Sequence, residues 1–210
     1  WGRIRNINDV IRGITEGVLS QEEKDKLLGQ VYFFRAWCYY NLVKWYGGVP
    51  IVKDVLEPVE SSVVPRSSAK ACIEFICEDL DKSAEMLSAA TTSGGWSSSE
   101  DWGRVTSGTA LALKGRVLLL WASPMFNRAN DVTRWNTAYE EIKKSIPVLN
   151  ACGYDLFQTS NNVNGSDFAA LFSTVKSSEA VFVTLFNTVQ TGDGMKNNSW
   201  ERGIRPKNST

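Results

Sequence analysis

Apolar residues recur along most of this chain at steps of three and four, the signature of helices that bury one face. Ile4, Ile7, Ile11, Ile14 and Val18 form the first such stripe, which predicts a helix over the opening residues. Ser20 and Glu23 then match the S-x-x-E capping box, in which hydroxyl and carboxylate satisfy orphan backbone N–H groups reciprocally. The helix opened by this box should run to about Tyr46 and stop at Gly47-Gly48-Val49-Pro50. From Val31 to Tyr46 it is apolar almost all round, broken by Arg35, Asn41 and Lys44, and such a helix belongs in the middle of a bundle. Trp45 and Tyr46 are expected to cover its end.

The segment from Ile51 to Arg66 carries two prolines and little periodicity, so it reads as a connection. Ser67 or Ser68 caps a third helix whose stripe is Ala69, Cys72, Ile73, Ile76, Leu80, Ala84 and Leu87. Its acidic residues Glu78, Asp79, Asp81 and Glu85 read as a solvated face rather than a catalytic pair, because catalytic carboxylates converge across a cleft. Thr106 caps a fourth helix from Ser107 to about Ser123, with Gly108, Ala112 and Gly115 as a small-residue face that lets another helix approach closely. A fifth runs from about Val132 to Ala151, with Ala138, Ile142, Ile146 and Leu149 inward, Gly153 as the residue past its end, and Pro147 expected to kink it. The period changes to two at Val181, Val183 and Leu185 within Glu179–Asn187, which predicts a short strand. The fold class expected is all-α: irregular antiparallel helix pairs over 1–153, then a loop-rich segment, 154–210, with a minor β-strand. Helix starts near 21, 68, 107 and 134 share no constant period, so any repeat is structural.

Composition narrows the chemistry. The 210 residues suit a single domain with a substantial core. Lys plus Arg number 23 and Asp plus Glu 23, and this balance argues against a nucleic-acid groove, whose affinity rests on a basic footprint. There is no histidine, which removes Ser-His-Asp and Cys-His catalysis and every His-ligated metal site. Cys38, Cys72, Cys77 and Cys152 show no CxxC spacing and read as small buried hydrophobes, so neither metal nor cofactor is expected. No run approaches the ~18–20 apolar residues of a membrane span. The chain opens at Trp1 without an initiator methionine and closes on the polar RGIRPKNST, so it is expected to be cut at both ends. Arg35, ringed by Val31, Tyr32, Phe34, Tyr39 and Leu42, must be paired or hydrogen-bonded and reads as a buried clamp.

Three stretches carry a resemblance. GQVYFFRAWCYYNLVKWYGGVPIV, Gly29 to Val52, resembles the hallmark helix of SusD/RagB-like nutrient-binding lipoproteins, with an FLRA-type start, an aromatic doublet and a closing YGGVP. RSSAKACIEFICEDLDKSAEML, Arg66 to Leu87, is similar to the helix that follows in that family, and GRVTSGTALALKGRVLLLWAS, Gly103 to Ser123, to its third signature. Weaker matches, RIRNINDVI, NACGYDLF and SSEAVFVTLF, flank these in family order. Phe34 stands where leucine is usual, and Pro147 falls in a helix normally free of it. The resemblance implies a tetratricopeptide-like (TPR-like) helical scaffold, tethered by an N-terminal lipid outside this chain to the outer membrane at the cell surface. It further implies a glycan or other nutrient as ligand and a TonB-dependent, SusC-like transporter as partner, with no enzymatic activity. The alternative is a helical-repeat scaffold that binds a protein partner.

Family ligand contacts lie in variable loops, so no binding residue carries over by motif. The residues themselves offer Trp96 and Trp102, set in the turn-rich TTSGGWSSSEDWGR, and Trp200 among Asn198, Ser199, Glu201 and Arg202. An indole face stacks on the C–H face of a pyranose while neighbouring polar groups bond its hydroxyls. For Trp102 the competing role is a structural staple on the helix that Thr106 caps.

Overall fold

The computed structural model describes residues 1–56, 64–92, 101–158, 165–171, 174 and 176–183. Among the described residues six helices follow in chain order: α1 (Gly2–Glu16), α2 (Gln21–Tyr46), α3 (Ala69–Thr92), α4 (Ser107–Ala122), α5 (Val132–Ala151) and the short α6 (Ser166–Leu171). From α1 to α5 each helix packs on the next. Paired contacts run in opposite directions along neighbours: Leu87 against Gly29 and Asp79 against Arg35 for α2 and α3, Leu149 against Gly108 and Ile142 against Gly115 for α4 and α5. The chain is therefore the all-α array of antiparallel helices that its periodicity predicts.

Local chemistry sets the helix ends. Ser20 accepts from the Glu23 N–H at 3.3 Å while the Glu23 carboxylate accepts from the Ser20 N–H at 3.0 Å, the reciprocal box expected from sequence. Thr106 and Thr109 form a second box at the start of α4, and Asp131 caps α5 by accepting from the Thr133 N–H at 3.0 Å. Each such cap contributes about 1 kcal/mol. α5 closes in a Schellman arrangement: Tyr154 N–H donates to the Leu149 carbonyl, Gly153 N–H to that of Asn150, and Gly153 has φ 86°. The helix continues unbroken through Pro147.

The core joins Phe33, Tyr39 and Val43 of α2 to Cys72, Ile76 and Leu80 of α3 and Leu113 and Val117 of α4. Glycine permits two of the closest approaches: a Cβ on Gly115 would lie 2.7 Å from Ile142 Cγ1, and one on Gly48 would lie 2.0 Å from the Ser67 carbonyl. The small-residue face expected on α4 is thus the seam against α5.

Five expectations are corrected. Asp79 is wholly buried instead of solvated. Counting from Cys72 and Ile76, it is the next inward position, and it meets Arg35. Ile146 is half exposed, because the inward face of α5 steps through Ala138, Ile142, Ser145 and Leu149. Trp45 and Tyr46 are 78% and 65% exposed and cover nothing. Val18 lies past the end of α1 and is exposed. Residues 179–183 run as turn and bend, with Ala180 N–H bonded to the Ser177 carbonyl, and no strand appears among the described residues. A lone strand has no neighbour to satisfy its backbone; here Phe182 packs on aromatic rings of α2 instead. Positions 184–187 lie outside the described residues.

Candidate functional site

Aromatic surface meets polar groups at the turn ahead of α4 and at a groove beside the end of α2. Asp101, Trp102, Gly103 and Arg104 form a tight turn in which the Arg104 N–H donates to the Asp101 carbonyl at 3.1 Å, the Arg104 Nε reaches Asp101 Oδ1 at 2.6 Å, and Gly103 takes φ 92°. Trp102 is half-buried, and the Lys176 ammonium stands 5.9 Å from its ring centroid. The buried residue immediately before the cap is Val105, so the staple position belongs to it. Trp96 and Trp200 lie outside the described residues.

Beneath this turn a hydroxyl cluster ties the loop-rich end of the chain to the helices. Thr106 Oγ1 donates to the Tyr154 hydroxyl at 3.2 Å, and Thr109 Oγ1 donates to the Val181 carbonyl at 2.9 Å. One residue on, the Phe182 ring meets Phe33 at 5.1 Å and Trp37 at 5.5 Å between centroids. Residues 176–183 are thereby strapped across α4 and α2, which places Lys176 beside Trp102.

The second place is where the start of α1 faces the last turns of α2. Trp37, Asn41 and Trp45 recur every fourth residue along α2 and, with Trp1, Arg3 and Tyr46, line a groove of about 560 Å³. The end of α2 is held firmly: Arg66 donates to the Gly48 carbonyl at 2.5 Å and to that of Tyr46, and Val49 N–H donates to Cys72 Sγ at 3.4 Å. The sequence reading missed this surface because aromatic residues at the end of an apolar helix are indistinguishable from core by spacing alone.

The charged groups inside the array are structural. Arg35 donates from Nε and Nη2 to the two Asp79 oxygens at 2.7 and 2.8 Å, and from Nη1 to Asn8 Oδ1 at 3.0 Å and the Lys53 carbonyl at 3.3 Å. Asn8 in turn donates to the Val52 and Asp54 carbonyls. This is the clamp expected of Arg35, and it binds α1, α2, α3 and the connection after α2 into one unit. Burial pushes the Asp79 carboxyl up against the pull of the guanidinium. Burial also pulls on the Lys114 ammonium, but hydrogen bonds to Asp81 and Glu141 outweigh it and hold the group above its ordinary value. Burial pushes the Cys77 thiol up to about 12, so it stays protonated at neutral pH. Among the described residues no group of three or more acidic or thiol side chains gathers to hold a metal, and no helix is long and apolar enough to cross a membrane.

With this geometry in hand, comparison with known proteins is informative. Residues 1–119 match the family model for SusD-like proteins, described as starch-binding and associating with the outer membrane. A SusD-like protein of Bacteroides ovatus is 24% identical over 171 residues, covering 78% of this chain and 30% of that protein. A crystal structure of a SusD-like protein from Bacteroides fragilis superposes with a TM-score of 0.67 at 30% identity, covering 89% of this chain and 32% of that one. A SusD-like carbohydrate-binding protein of the same species shares the fold with a TM-score of 0.53 at 24% identity, covering 67% of this chain and 25% of that one. The chain therefore spans between a quarter and a third of the length of these relatives.

Proposed function

This chain belongs to the SusD-like family, and on that premise we propose that it is part of a non-enzymatic, cell-surface protein that captures glycan and delivers it to a TonB-dependent transporter of the outer membrane. The observation that carries this reading is the match of residues 1–119 to a family described as starch-binding and associating with the outer membrane. The helices supply a rigid frame. On it, the half-buried Trp102 is proposed as a stacking surface beside Lys176, Asp101 and Arg104, the combination of flat apolar surface and placed polar groups that a pyranose requires. Trp96 and Trp200 are proposed as further stacking surfaces on sequence grounds. A lipid anchor ahead of this chain would hold the complete protein at the membrane.

The test is affinity electrophoresis of the complete protein through gels containing starch, laminarin or other soluble glycans, with co-purification from detergent extracts. Retardation by at least one glycan and recovery of a TonB-dependent transporter are expected. Unretarded migration in every glycan would overturn the capture role, and recovery of the protein without a transporter would overturn the delivery step.

A second reading, a scaffold for a protein partner, has one observation in its favour. Val132, Trp135, Tyr139 and Ile146 form an exposed apolar stripe along the outer face of α5. Replacing Trp135 and Tyr139 by serine separates the two: loss of a co-purifying protein with glycan retardation intact favours the scaffold role for this face.

A further inference from the structure

The groove between α1 and the end of α2 is independent of the Trp102 turn and has the chemistry of a ligand site. Trp1, Trp45 and Tyr46 all line it and are 59%, 78% and 65% exposed. Trp45 and Tyr46 are far more exposed than core aromatics, yet they stand on a helix end locked by Arg66 and the Val49–Cys72 contact. Rigid, solvent-facing rings lose little entropy when a sugar stacks on them. The volume of about 560 Å³ falls in the ordinary range for ligand pockets.

Polar groups at the rim give this groove a sign. Asn41 donates its Nδ2 to the Trp37 carbonyl at 2.8 Å, and its Oδ1 meets no donor among the described residues. Arg3 lines the groove and has no ion-pair partner among the described residues. Among the described residues no acidic side chain lines it. The Arg3 charge reaches the floor, where it opposes the rise that burial imposes on the Cys38 thiol. An unpaired guanidinium beside exposed indoles is complementary to a carboxylate carried on a sugar ring, because the planar fork pairs with carboxylate oxygens while the ring face stacks.

We propose that this groove is a second saccharide site, separate from the Trp102 turn, and that it prefers pyranosides bearing a carboxylate over neutral ones, with Trp45 and Tyr46 as stacking surfaces and Arg3 as the carboxylate partner. The proposal rests on the glycan-capture reading and names a ligand class for it.

The experiment is calorimetric titration of the complete protein with oligogalacturonate, maltoheptaose and laminarihexaose at low salt, for the parent, Trp45→Ala/Tyr46→Ala and Arg3→Gln. The expected result is tighter binding of oligogalacturonate than of either neutral oligosaccharide, an affinity at least tenfold weaker in Trp45→Ala/Tyr46→Ala, and a preference for the acidic chain erased in Arg3→Gln. Both aromatic substitutions fall on exposed positions, and an unchanged far-ultraviolet spectrum verifies the fold. Binding of a neutral oligosaccharide that is indifferent to Trp45→Ala/Tyr46→Ala, with no acidic preference, would overturn this site and leave the capture function standing. Absence of binding to all three would count against both. Acrylamide quenching that does not change on removing Trp45 would show the groove covered by the rest of the protein and would also overturn the proposal.

Discussion

Replacing Asp79 by leucine should be among the most damaging single changes in this chain. Arg35 is 4% exposed and Asp79 0%. Removing the carboxylate leaves a guanidinium that cannot shed its proton inside the bundle, and breaking a buried pair from one side costs about 3–5 kcal/mol. For a domain of this size each kcal/mol lowers the melting temperature by about 2–4 °C, so the midpoint should fall by about 6–20 °C. Urea unfolding at neutral pH followed by far-ultraviolet circular dichroism measures the loss, provided the slope with denaturant is unchanged. Two further variants test the cause. Arg35→Met/Asp79→Leu should cost much less than the sum of its single changes, because it removes both charges and fills the space with apolar atoms. Arg35→Met alone should recover relative stability in acid. Without its cation the buried Asp79 carboxyl has a folded-state pKa above the unfolded one, so its favourable contribution is present below the unfolded value and lost as pH rises through the folded one. An Asp79→Leu variant within 1 kcal/mol of the parent, or a double variant as unstable as the sum, would refute the reasoning.

Other outcomes follow from the same geometry. Gly115→Ala gains about 1 kcal/mol of helix propensity but places a Cβ 2.7 Å from Ile142 Cγ1; overpacking of about 1–3 kcal/mol should win, and adding Ile142→Ala should relieve part of the loss in the same urea assay. Hydrogen bonds from Lys114 and then Lys144 hold the Glu141 carboxyl below its ordinary value. Its stabilising contribution is therefore present above the unfolded-state value and lost as pH falls through the folded one, so Glu141→Gln should flatten the acid limb of a stability-versus-pH curve. Thr109→Val removes the donor to the Val181 carbonyl and should raise hydrogen exchange across 177–183 while leaving α2 and α3 protected.

The helical frame was legible because its signals are local. Ser20 with Glu23, Thr106 and Gly153 each mark a helix end through groups within five residues, and the small face of Gly108 and Gly115 announces its partner by what is missing from it. Arg35 could be read as a clamp because an isolated charge in an apolar helix demands a partner. Its partner was harder to see: Asp79 follows Glu78 in an acidic run, although it also continues the inward sequence Cys72, Ile76. Ile146 was misassigned because the true inward path reaches Ser145, a residue that hydropathy alone counts as outward. The 179–183 segment alternates like a strand, but its conformation depends on a threonine hydroxyl 72 positions away and on three rings of α2. The site was least legible. Whether Trp45, Tyr46 or Trp102 shows a ring to solvent depends on which residues pack beside it, information that no spacing rule contains.

The central claim is that this helical array is a frame for capturing saccharide without altering it. The most direct measurement is calorimetric titration of the complete protein with soluble glycans, followed by chromatography of the recovered ligand. Saturable binding to at least one glycan, with the chain recovered at its original length, is the predicted result. Cleaved product, or heat indistinguishable from dilution for every glycan offered, would contradict it.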